Sequence, residues 1–350
     1  MPSKIRNQKS GVGEFAIAIE STVTDWLFAR PHVLSAARVN LCWAAEMLCL
    51  TMRMRSVVAA GTALLVVGWS VLAATDPAVN GPFPATRHTI AIPGTEGATL
   101  ITDLYFPGTH GLVSVGAGRC PVIVLGHGFA QTKDEYVNQG LHLATRGYLV
   151  LIPNSTAVAD WSRFADDLRK CLDWIEAQDV DSNSIFFGRV RTNCAGATGH
   201  SAGGLSAILA ATRDVRIRAL SPMDPVDSDG LGVAALPSVP APVAITYSEP
   251  SLCNANGSAL TLYNAACAPK RGMLIVGANH SDPEDPASLL IEVVCGAADS
   301  ERQMLYRRYM TGWFEYYLRG DAAYGPWVFD QPGGQLASDL ASNKVTYTAR

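Results

Sequence analysis

Short apolar runs alternate with segments of helical periodicity from about residue 86 to residue 318. The runs are rich in β-branched residues, which predicts buried strands, and the segments between them carry apolar residues three and four positions apart, which predicts amphipathic helices. Near-continuous apolar strands that alternate with helices are typical of a mostly parallel sheet with helices on both faces. The predicted strands are 88–92, 99–106, 121–125, 148–152, 217–221, 242–247 and 273–276, with one more just before residue 199, and the predicted helices are 134–146, 163–178, 204–211 and 303–318.

The connections between these elements are short, and no linker divides the region. We therefore predict a single α/β domain over residues 75–350. A chain of 350 residues, 48% of them hydrophobic, is long enough to bury a large core. The net charge of −4 includes no basic block, so the composition gives no support for nucleic-acid binding.

A different pattern precedes the predicted domain. Residues 52–55 read Met-Arg-Met-Arg, residues 57–72 are apolar, and residues 71–73 resemble a small-residue cleavage site. This order is typical of a secretory signal peptide, which we predict over residues 52–74. Residues 1–51 are then an upstream over-translation or a disordered leader, with the true start at Met52 or Met54.

The alternative for the same segment is a membrane anchor over residues 57–74. Such a span is close to the lower limit for crossing a bilayer, roughly 17 residues. A cleaved signal peptide predicts a secreted or periplasmic protein, whereas contact with a membrane is expected only if residues 57–74 stay attached.

The number of cysteines in the predicted domain is consistent with an exported protein. Six of the eight cysteines lie in the predicted domain, and an even number in an exported chain suggests disulfides. Cys253 and Cys267 flank a loop-and-helix stretch and are a reasonable pair, although sequence alone leaves the connectivity open. The sequence has no CxxC motif and no Cys/His cluster, so we predict no zinc site.

The strongest chemical signal is the G-x-S-x-G pattern at residues 199–203, which read Gly-His-Ser-Ala-Gly. A short apolar strand precedes it and a helix follows it. This strand–turn–helix context is typical of a nucleophile elbow, which exposes a serine hydroxyl above the edge of a sheet. Ser201 is therefore the predicted nucleophile. The alternative is a glycine-rich turn in which Ser201 only caps the helix.

A serine nucleophile needs a base and an orienting acid. His280 is the one histidine of the chain that lies downstream of Ser201, in a loop after the strand 273–276. Asp224 follows the strand 217–221, and Glu249 follows the strand 242–247, so either could reach His280 at the carboxyl edge of the sheet. We favour Asp224 as the acid and keep Glu249 and Asp227 as alternatives.

Two main-chain N–H groups are expected to stabilise the oxyanion. One belongs to Ala202, directly after the nucleophile, and the other to Phe129 in the Gly-His-Gly-Phe loop after the first central strand. We interpret His127 in that loop as structural, and we assign no chemical role to His200.

Five segments between residues 83 and 320 point to one superfamily. With these segments the chain resembles the α/β-hydrolase branch that holds chlorophyllases, dienelactone-hydrolase-like esterases and bacterial polyester (PET) hydrolases. The segments are 121–129 (Pro-Val-Ile-Val-Leu-Gly-His-Gly-Phe), 142–148 (His-Leu-Ala-Thr-Arg-Gly-Tyr), 199–204 (Gly-His-Ser-Ala-Gly-Gly), 223–227 (Met-Asp-Pro-Val-Asp) and 277–282 (Gly-Ala-Asn-His-Ser-Asp).

The resemblance implies an α/β-hydrolase fold and a Ser-His-Asp triad. The segment 223–227 is similar to the chlorophyllase pattern, in which the acid follows this strand, so the resemblance favours Asp224. In polyester hydrolases the acid follows the next strand, where this chain has Ser248-Glu249-Pro250. Ala202 also replaces the Met of polyester hydrolases and the Arg of plant chlorophyllases, so the resemblance is specific for fold and triad and leaves the substrate open.

The sequence thus predicts a secreted serine esterase that acts on a small-molecule or polymeric ester, without metal or organic cofactor. Residues 231–239 and the loop after Phe129 are expected to contact the acyl chain. Three alternatives are an acyltransferase that uses the same triad, a hydrolase specialised for polyesters or chlorophyll esters, and a non-catalytic binding module.

Overall fold

The computed structural model describes residues 74–155, 157, 159–267 and 269–348. These residues belong to one compact unit that spans Val71–Arg350. The predicted leader, residues 1–51, and all of the predicted signal peptide except Ala74 lie outside the described residues. Within the described part of the chain, none of the helices has the length and apolar character needed to cross a membrane.

The described residues form a sheet of ten strands in the order β1-β2-β5-β4-β6-β7-β8-β9-β10, and β3 pairs with β2. Neighbouring strands are parallel from β5 to β9, and the pairs β1/β2, β2/β5 and β9/β10 are antiparallel. The predicted mostly parallel sheet is therefore confirmed. The strands are β1 (Ala85–Pro93), β2 (Thr99–Thr109), β3 (Leu112–Val113), β4 (Cys120–Gly126), β5 (Leu149–Asn154), β6 (Val190–His200), β7 (Ile217–Met223), β8 (Val243–Tyr247), β9 (Lys270–Ile275) and β10 (Val345–Thr348).

Helices cover both faces of this sheet. Apolar residues of α2 and α3 belong to the core on one face, and those of α1 and α7 belong to the core on the other. The α/β-hydrolase architecture expected from the sequence is thus present. The helices are α1 (Val137–Thr145), α2 (Trp161–Val180), α3 (Ala202–Arg213), α4 (Leu231–Ala235), α5 (Ser258–Ala265), α6 (Leu289–Cys295), α7 (Ser300–Tyr317), α8 (Gly325–Val328) and α9 (Gln335–Ala341).

Helix α2 shows how a capping residue and a periodic row of apolar residues determine a helix and the face that it buries. The side chain of Asp160 accepts a hydrogen bond from the N–H of Arg163 and so caps the first turn. The side chains of the predicted apolar face are buried and separate the sheet from solvent on this side. They are Phe164, Leu168, Leu172 and Ile175.

The disulfide joins Cys253 to Cys295, with 5.9 Å between their Cα atoms. The expected pairing of Cys253 with Cys267 is therefore wrong. Cys253 follows the carboxyl end of β8, whereas Cys267 lies beyond α5, just before β9 begins at the opposite edge of the sheet. A helix of that size spans about 12 Å, and a disulfide requires Cα atoms within about 7 Å.

The carboxyl ends of the parallel strands bring the predicted site residues to one edge of the sheet. His200 at the end of β6 pairs with Met223 at the end of β7, and Met223 pairs with Thr246 of β8. The residues that follow these strands therefore emerge side by side. Ligands of open α/β sheets bind at this edge.

Candidate active site

Ser201 occupies a strained turn between β6 and α3. Its backbone has φ 55° and ψ −123°, a conformation that non-glycine residues rarely adopt. Its side chain makes no capping hydrogen bond to the helix that follows. The capping alternative therefore has no support in this geometry, and the turn matches the nucleophile elbow expected from residues 199–203.

Glycines make this sharp turn possible by letting two backbones approach. A Cβ atom on Gly203 would lie 2.2 Å from the carbonyl oxygen of Gly126, at the end of β4. A Cβ atom on Gly199 would lie 2.4 Å from the carbonyl oxygen of Gly203. No side chain fits at these separations, so the glycines of the motif are required by packing against the central strand.

Three side chains form a hydrogen-bonded chain at the elbow. The hydroxyl oxygen of Ser201 lies 3.0 Å from Nε2 of His280, and Nδ1 of His280 lies 2.6 Å from Oδ2 of Asp224. His280 and Asp224 are buried, and Ser201 is 8% exposed. If Nδ1 carries the proton, His280 donates to the carboxylate and its Nε2 is free to accept the proton of Ser201.

The two alternative carboxylates make other contacts. Oε1 of Glu249 accepts a hydrogen bond of 3.1 Å from the main-chain N–H of Gly277. Oδ2 of Asp227 accepts one of 2.9 Å from the N–H of Val233 in α4. Asp224 is the carboxylate that bonds the His280 imidazole in this structure.

Asp224 is held by groups that the sequence did not single out. Its main-chain N–H donates to the carbonyl oxygen of Thr246 at 2.7 Å, which fixes the residue at a φ of 40°. The N–H of Ser248 donates to Oδ1 at 3.1 Å, and the Ser248 hydroxyl donates to Oδ2. Ser248 directly follows β8, the strand after which polyester hydrolases carry their acid. That position is the sequence feature that could have pointed to Ser248.

The peptide between Gly128 and Phe129 is fixed by hydrogen bonds to its carbonyl oxygen. Nδ1 of His127 lies 2.8 Å from the Gly128 oxygen, and the N–H of Gln131 donates to the same oxygen at 3.2 Å. The N–H of Ser155 donates to Nε2 of His127, so the His127 proton lies on Nδ1. Because a trans peptide is planar, this arrangement also fixes the direction of the Phe129 N–H.

The two predicted oxyanion donors lie on neighbouring loops. Gly126 of β4 pairs with Gly199 of β6, so the loops that carry Phe129 and Ala202 leave the sheet side by side. In the described part of the chain, neither of these N–H groups has an acceptor beyond its own helix or strand.

The side chains expected to contact an acyl chain separate into two groups. Leu236 and Val239 are buried in the hydrophobic core beside α3, whereas Leu231 stays 42% exposed. Phe129 is 58% exposed, and its ring packs edge-on against Trp161 with 5.9 Å between centroids. The loop after β4 therefore presents apolar surface, while the end of the 231–239 stretch is core.

His200 is a second histidine beside the reacting groups. It is fully buried, its ring centroid lies 4.5 Å from that of His280, and its Nδ1 lies 2.8 Å from the hydroxyl of Tyr136. Burial, and secondarily the charge that His280 can carry, holds the pKa of His200 well below its usual range. His200 is therefore neutral. Its place in the elbow motif is evident from the sequence, but its contacts with His280 and Tyr136 are not.

Comparison with known proteins agrees with this architecture. A family model described as PET hydrolase-like matches residues 67–343. Chlorophyllase-2 of Arabidopsis thaliana is 26% identical over 182 residues, which cover 48% of this chain and 55% of the chlorophyllase. The chain thus spans about half the length of this relative. Because the family model matches most of the chain, including every residue of the site described above, the protein belongs to the PET hydrolase-like family.

Proposed function

We propose that the protein hydrolyses carboxylic esters through an acyl-enzyme intermediate on Ser201. The hydrogen-bonded chain from Ser201 through His280 to Asp224 carries this proposal. It supplies a nucleophile, a base within reach of the nucleophile's proton, and a carboxylate that orients the base. Membership of the PET hydrolase-like family supports the same reaction class.

In the first half of the reaction, Oγ of Ser201 attacks the ester carbonyl carbon while Nε2 of His280 takes the hydroxyl proton. The carbonyl oxygen becomes an oxyanion, which accepts hydrogen bonds from the N–H groups of Phe129 and Ala202. The bond to the leaving alcohol then breaks, and His280 returns its proton to the alcohol oxygen. Asp224 stabilises the imidazolium that exists between the two transfers.

In the second half, a water molecule takes the place of the alcohol. His280 accepts a proton from this water as it attacks the acyl carbon, and the second oxyanion occupies the same two N–H groups. Breakdown releases the carboxylic acid and returns the proton to Oγ of Ser201. None of these steps needs a group beyond this chain, the ester and water.

Substitution of the nucleophile tests the proposal. Ser201→Ala is expected to abolish hydrolysis of a p-nitrophenyl ester and covalent labelling by a fluorophosphonate, because both require Oγ. Ser206→Ala is the matched control, since Ser206 is a buried serine on α3, the helix that follows the turn, and its hydroxyl donates to the carbonyl oxygen of Ala202. Labelling that persists in Ser201→Ala, or wild-type protein that neither hydrolyses esters nor reacts, refutes the proposal.

We further propose that the ester carries an apolar acyl or alcohol group. Phe129 supports this preference, because its ring is 58% exposed on the loop that bears one oxyanion donor and packs against the partly buried Trp161 of α2. A panel that runs from acetate through long-chain esters to a polyester film and chlorophyll tests it. We expect a higher kcat/KM for the esters with larger apolar groups than for acetate. A higher kcat/KM for acetate than for every other ester of the panel contradicts the proposed preference.

We also propose that the protein acts outside the cytoplasm. The signal-peptide pattern of residues 52–74 supports export. The Cys253–Cys295 disulfide agrees with an oxidising compartment. N-terminal sequencing of protein collected outside the cytoplasm is expected to give a start close to residue 74, and a mature start before Met52 contradicts cleavage of this segment.

A further inference from the structure

A buried polar network lies behind the active site and outside the proton transfers described above. It joins Gln131, Tyr136, His200 and Glu284, each of which is at most 8% exposed. Buried polar side chains are costly unless they are hydrogen-bonded, and each of these has at least one hydrogen-bond partner within the network. Among the described residues, Nε2 of His200 has no hydrogen-bond partner. The network links two loops that, in the proposed reaction, act on different oxygens of the same ester group.

On one side the network holds the loop that carries the Phe129 N–H. The N–H of Gly128, one residue before Phe129, donates to Oε1 of Gln131 at 2.9 Å and to the hydroxyl oxygen of Tyr136 at 3.1 Å. The space beside Gly128 is filled by the same side chain, because a Cβ atom there would lie 2.2 Å from Oε1 of Gln131. Gln131 thus determines where this part of the loop lies.

On the other side the network holds the segment that carries His280. Glu284 lies four residues after His280, and its Oε1 accepts a hydrogen bond from Nε2 of Gln131. Its Oε2 accepts one of 2.7 Å from the N–H of Ser288, and its carbonyl oxygen accepts one of 2.6 Å from Nε2 of Gln303 on α7. Glu284 is therefore fixed to the scaffold independently of Gln131.

His200 completes the contact between the two loops. Its ring lies against His280 on one side and its Nδ1 faces the Tyr136 hydroxyl on the other. Because His200 is neutral, it packs against His280 without opposing the imidazolium that forms when Ser201 is deprotonated. One set of contacts consequently holds the loop that carries the Phe129 N–H, His200 and His280.

We propose that Glu284, acting through Gln131, is a positioning residue that aligns the Phe129 N–H with His280. This inference rests on the proposed function. An oxyanion donor is effective only within about 2.7–3.1 Å of the developing charge, so a small shift of the loop lowers kcat more than it changes substrate binding. The Gln131–Glu284 hydrogen bond joins segments 153 residues apart in sequence, and it ties the loop that carries the Phe129 N–H to the segment that carries His280.

Single substitutions at both ends of the bond test the inference. Gln131→Met and Glu284→Ala are expected to lower kcat about tenfold to a hundredfold with KM changed less than about threefold. Their affinity for an alkyl boronic acid, which mimics the tetrahedral intermediate, is expected to fall in parallel with kcat. Gln139→Met is the matched control, because this buried glutamine donates to the carbonyl oxygen of Pro283, next to Glu284, without joining the network.

An exchanged pair separates positioning from general damage to the fold. Gln131→Glu places two carboxylates together, and Glu284→Gln places two amides together, so each alone is expected to lose about tenfold in kcat. Together they restore one carboxylate facing one amide, and kcat is expected to return to within about threefold of wild type. Burial raises the pKa of Glu284 to about 7, so its replacement by a neutral amide is compatible with folding.

The outcomes separate this inference from the proposed function. Loss of hydrolysis in Ser201→Ala together with rescue by the exchanged pair supports both. An active wild type, an inactive Ser201→Ala and single variants that keep kcat within twofold overturn the positioning role alone. A double variant whose loss equals the product of the single losses overturns it too. If Glu284→Ala does not fold, Gln131→Met and the exchanged pair decide.

Discussion

Ser248 donates two hydrogen bonds to Asp224, one from its main-chain N–H to Oδ1 and one from its hydroxyl to Oδ2. Oδ2 also faces Nδ1 of His280 at 2.6 Å. Asp224 is fully buried, and these donors compensate for the water that its carboxylate has lost. Ser248, just after β8, therefore stabilises and orients the carboxylate of Asp224, just after β7, for its contact with His280.

Removal of the Ser248 hydroxyl tests whether its hydrogen bond to Asp224 contributes to catalysis. In Ser248→Ala the carboxylate keeps the main-chain donor but loses the hydroxyl donor to Oδ2, the oxygen that faces His280, where the longer 3.5 Å contact with Nδ2 of Asn254 remains. We expect kcat to fall about tenfold, since a hydrogen bond to a charged group contributes about 1.5–3 kcal/mol. Steady-state kinetics on a p-nitrophenyl ester measures this, and Ser258→Ala, beside Pro225, is the control. Unchanged kcat in Ser248→Ala would show that the hydroxyl is dispensable.

The assignment of the acid is tested by two isosteric amides. Asp224→Asn is expected to lower kcat by about 10³–10⁴, because an amide favours the wrong imidazole tautomer and does not stabilise the imidazolium. Glu249→Gln is expected to retain kcat within about threefold, since its carboxylate bonds the main-chain N–H of Gly277, in the loop that leads to His280. The reverse result, with loss only in Glu249→Gln, would identify Glu249 as the acid.

The sequence alone is enough to propose the nucleophile and the base, because neither assignment requires knowledge of contacts between distant segments. Residues 199–203 encode their own turn, and His280 is the one histidine that follows Ser201 in the sequence. The acid was ambiguous because carboxylates follow two neighbouring strands at the same edge. Which of these carboxylates reaches His280 depends on a few ångströms of loop geometry. The positions of the strands in the sequence do not specify that geometry.

Contacts between distant segments could not be read from the sequence. Gln131 and Glu284 meet across 153 residues, and neither belongs to a motif that points to the other. The cysteine pairing was wrong for a related reason. Cys267 is nearer to Cys253 in sequence than Cys295 is, but α5 carries it to the opposite edge of the sheet.

The disulfide gives a prediction for stability. It closes a loop with a sequence separation of 42 between Cys253 and Cys295. Cross-linking a loop of this size restricts the unfolded chain and contributes about 4 kcal/mol in the chain-entropy estimate. Cys295→Ser is expected to lower the free energy of unfolding by about 2–4 kcal/mol in denaturant titrations, whereas Cys267→Ser is expected to change it by less than about 0.5 kcal/mol.

Peptide mapping under non-reducing conditions checks the pairing directly. A cross-linked peptide that contains Cys253 and Cys295 is expected. Cys267 is exposed and is expected to react with iodoacetamide in the native protein. A peptide that links Cys253 to Cys267 would contradict the structure.

His142 links stability to pH at a distance from the active site. It is 1% exposed, its Nδ1 lies 3.0 Å from Oδ1 of Asn80, and its Nε2 lies 3.1 Å from the hydroxyl of Thr311. Burial, with a smaller effect of the Arg307 and Arg146 charges, lowers the pKa of His142 to about 3. The folded protein therefore holds this imidazole neutral across the range in which an unfolded chain protonates it.

The sign of the resulting pH dependence follows from that difference. The unfolded state binds a proton below about pH 6.5 and the folded state does not, so the contribution of His142 is complete above this pH and is lost as the pH falls toward 3. His142→Gln is expected to reduce the slope of unfolding free energy against pH by up to about 1.4 kcal/mol per unit between pH 6 and pH 4. Burial raises the pKa of Glu315 to about 6 and that of Glu284 to about 7. Both carboxyl groups contribute with the opposite sign, but equally in both proteins. Denaturant titrations of wild type and variant at several pH values measure the difference, and equal slopes would show that His142 is protonated in the folded state.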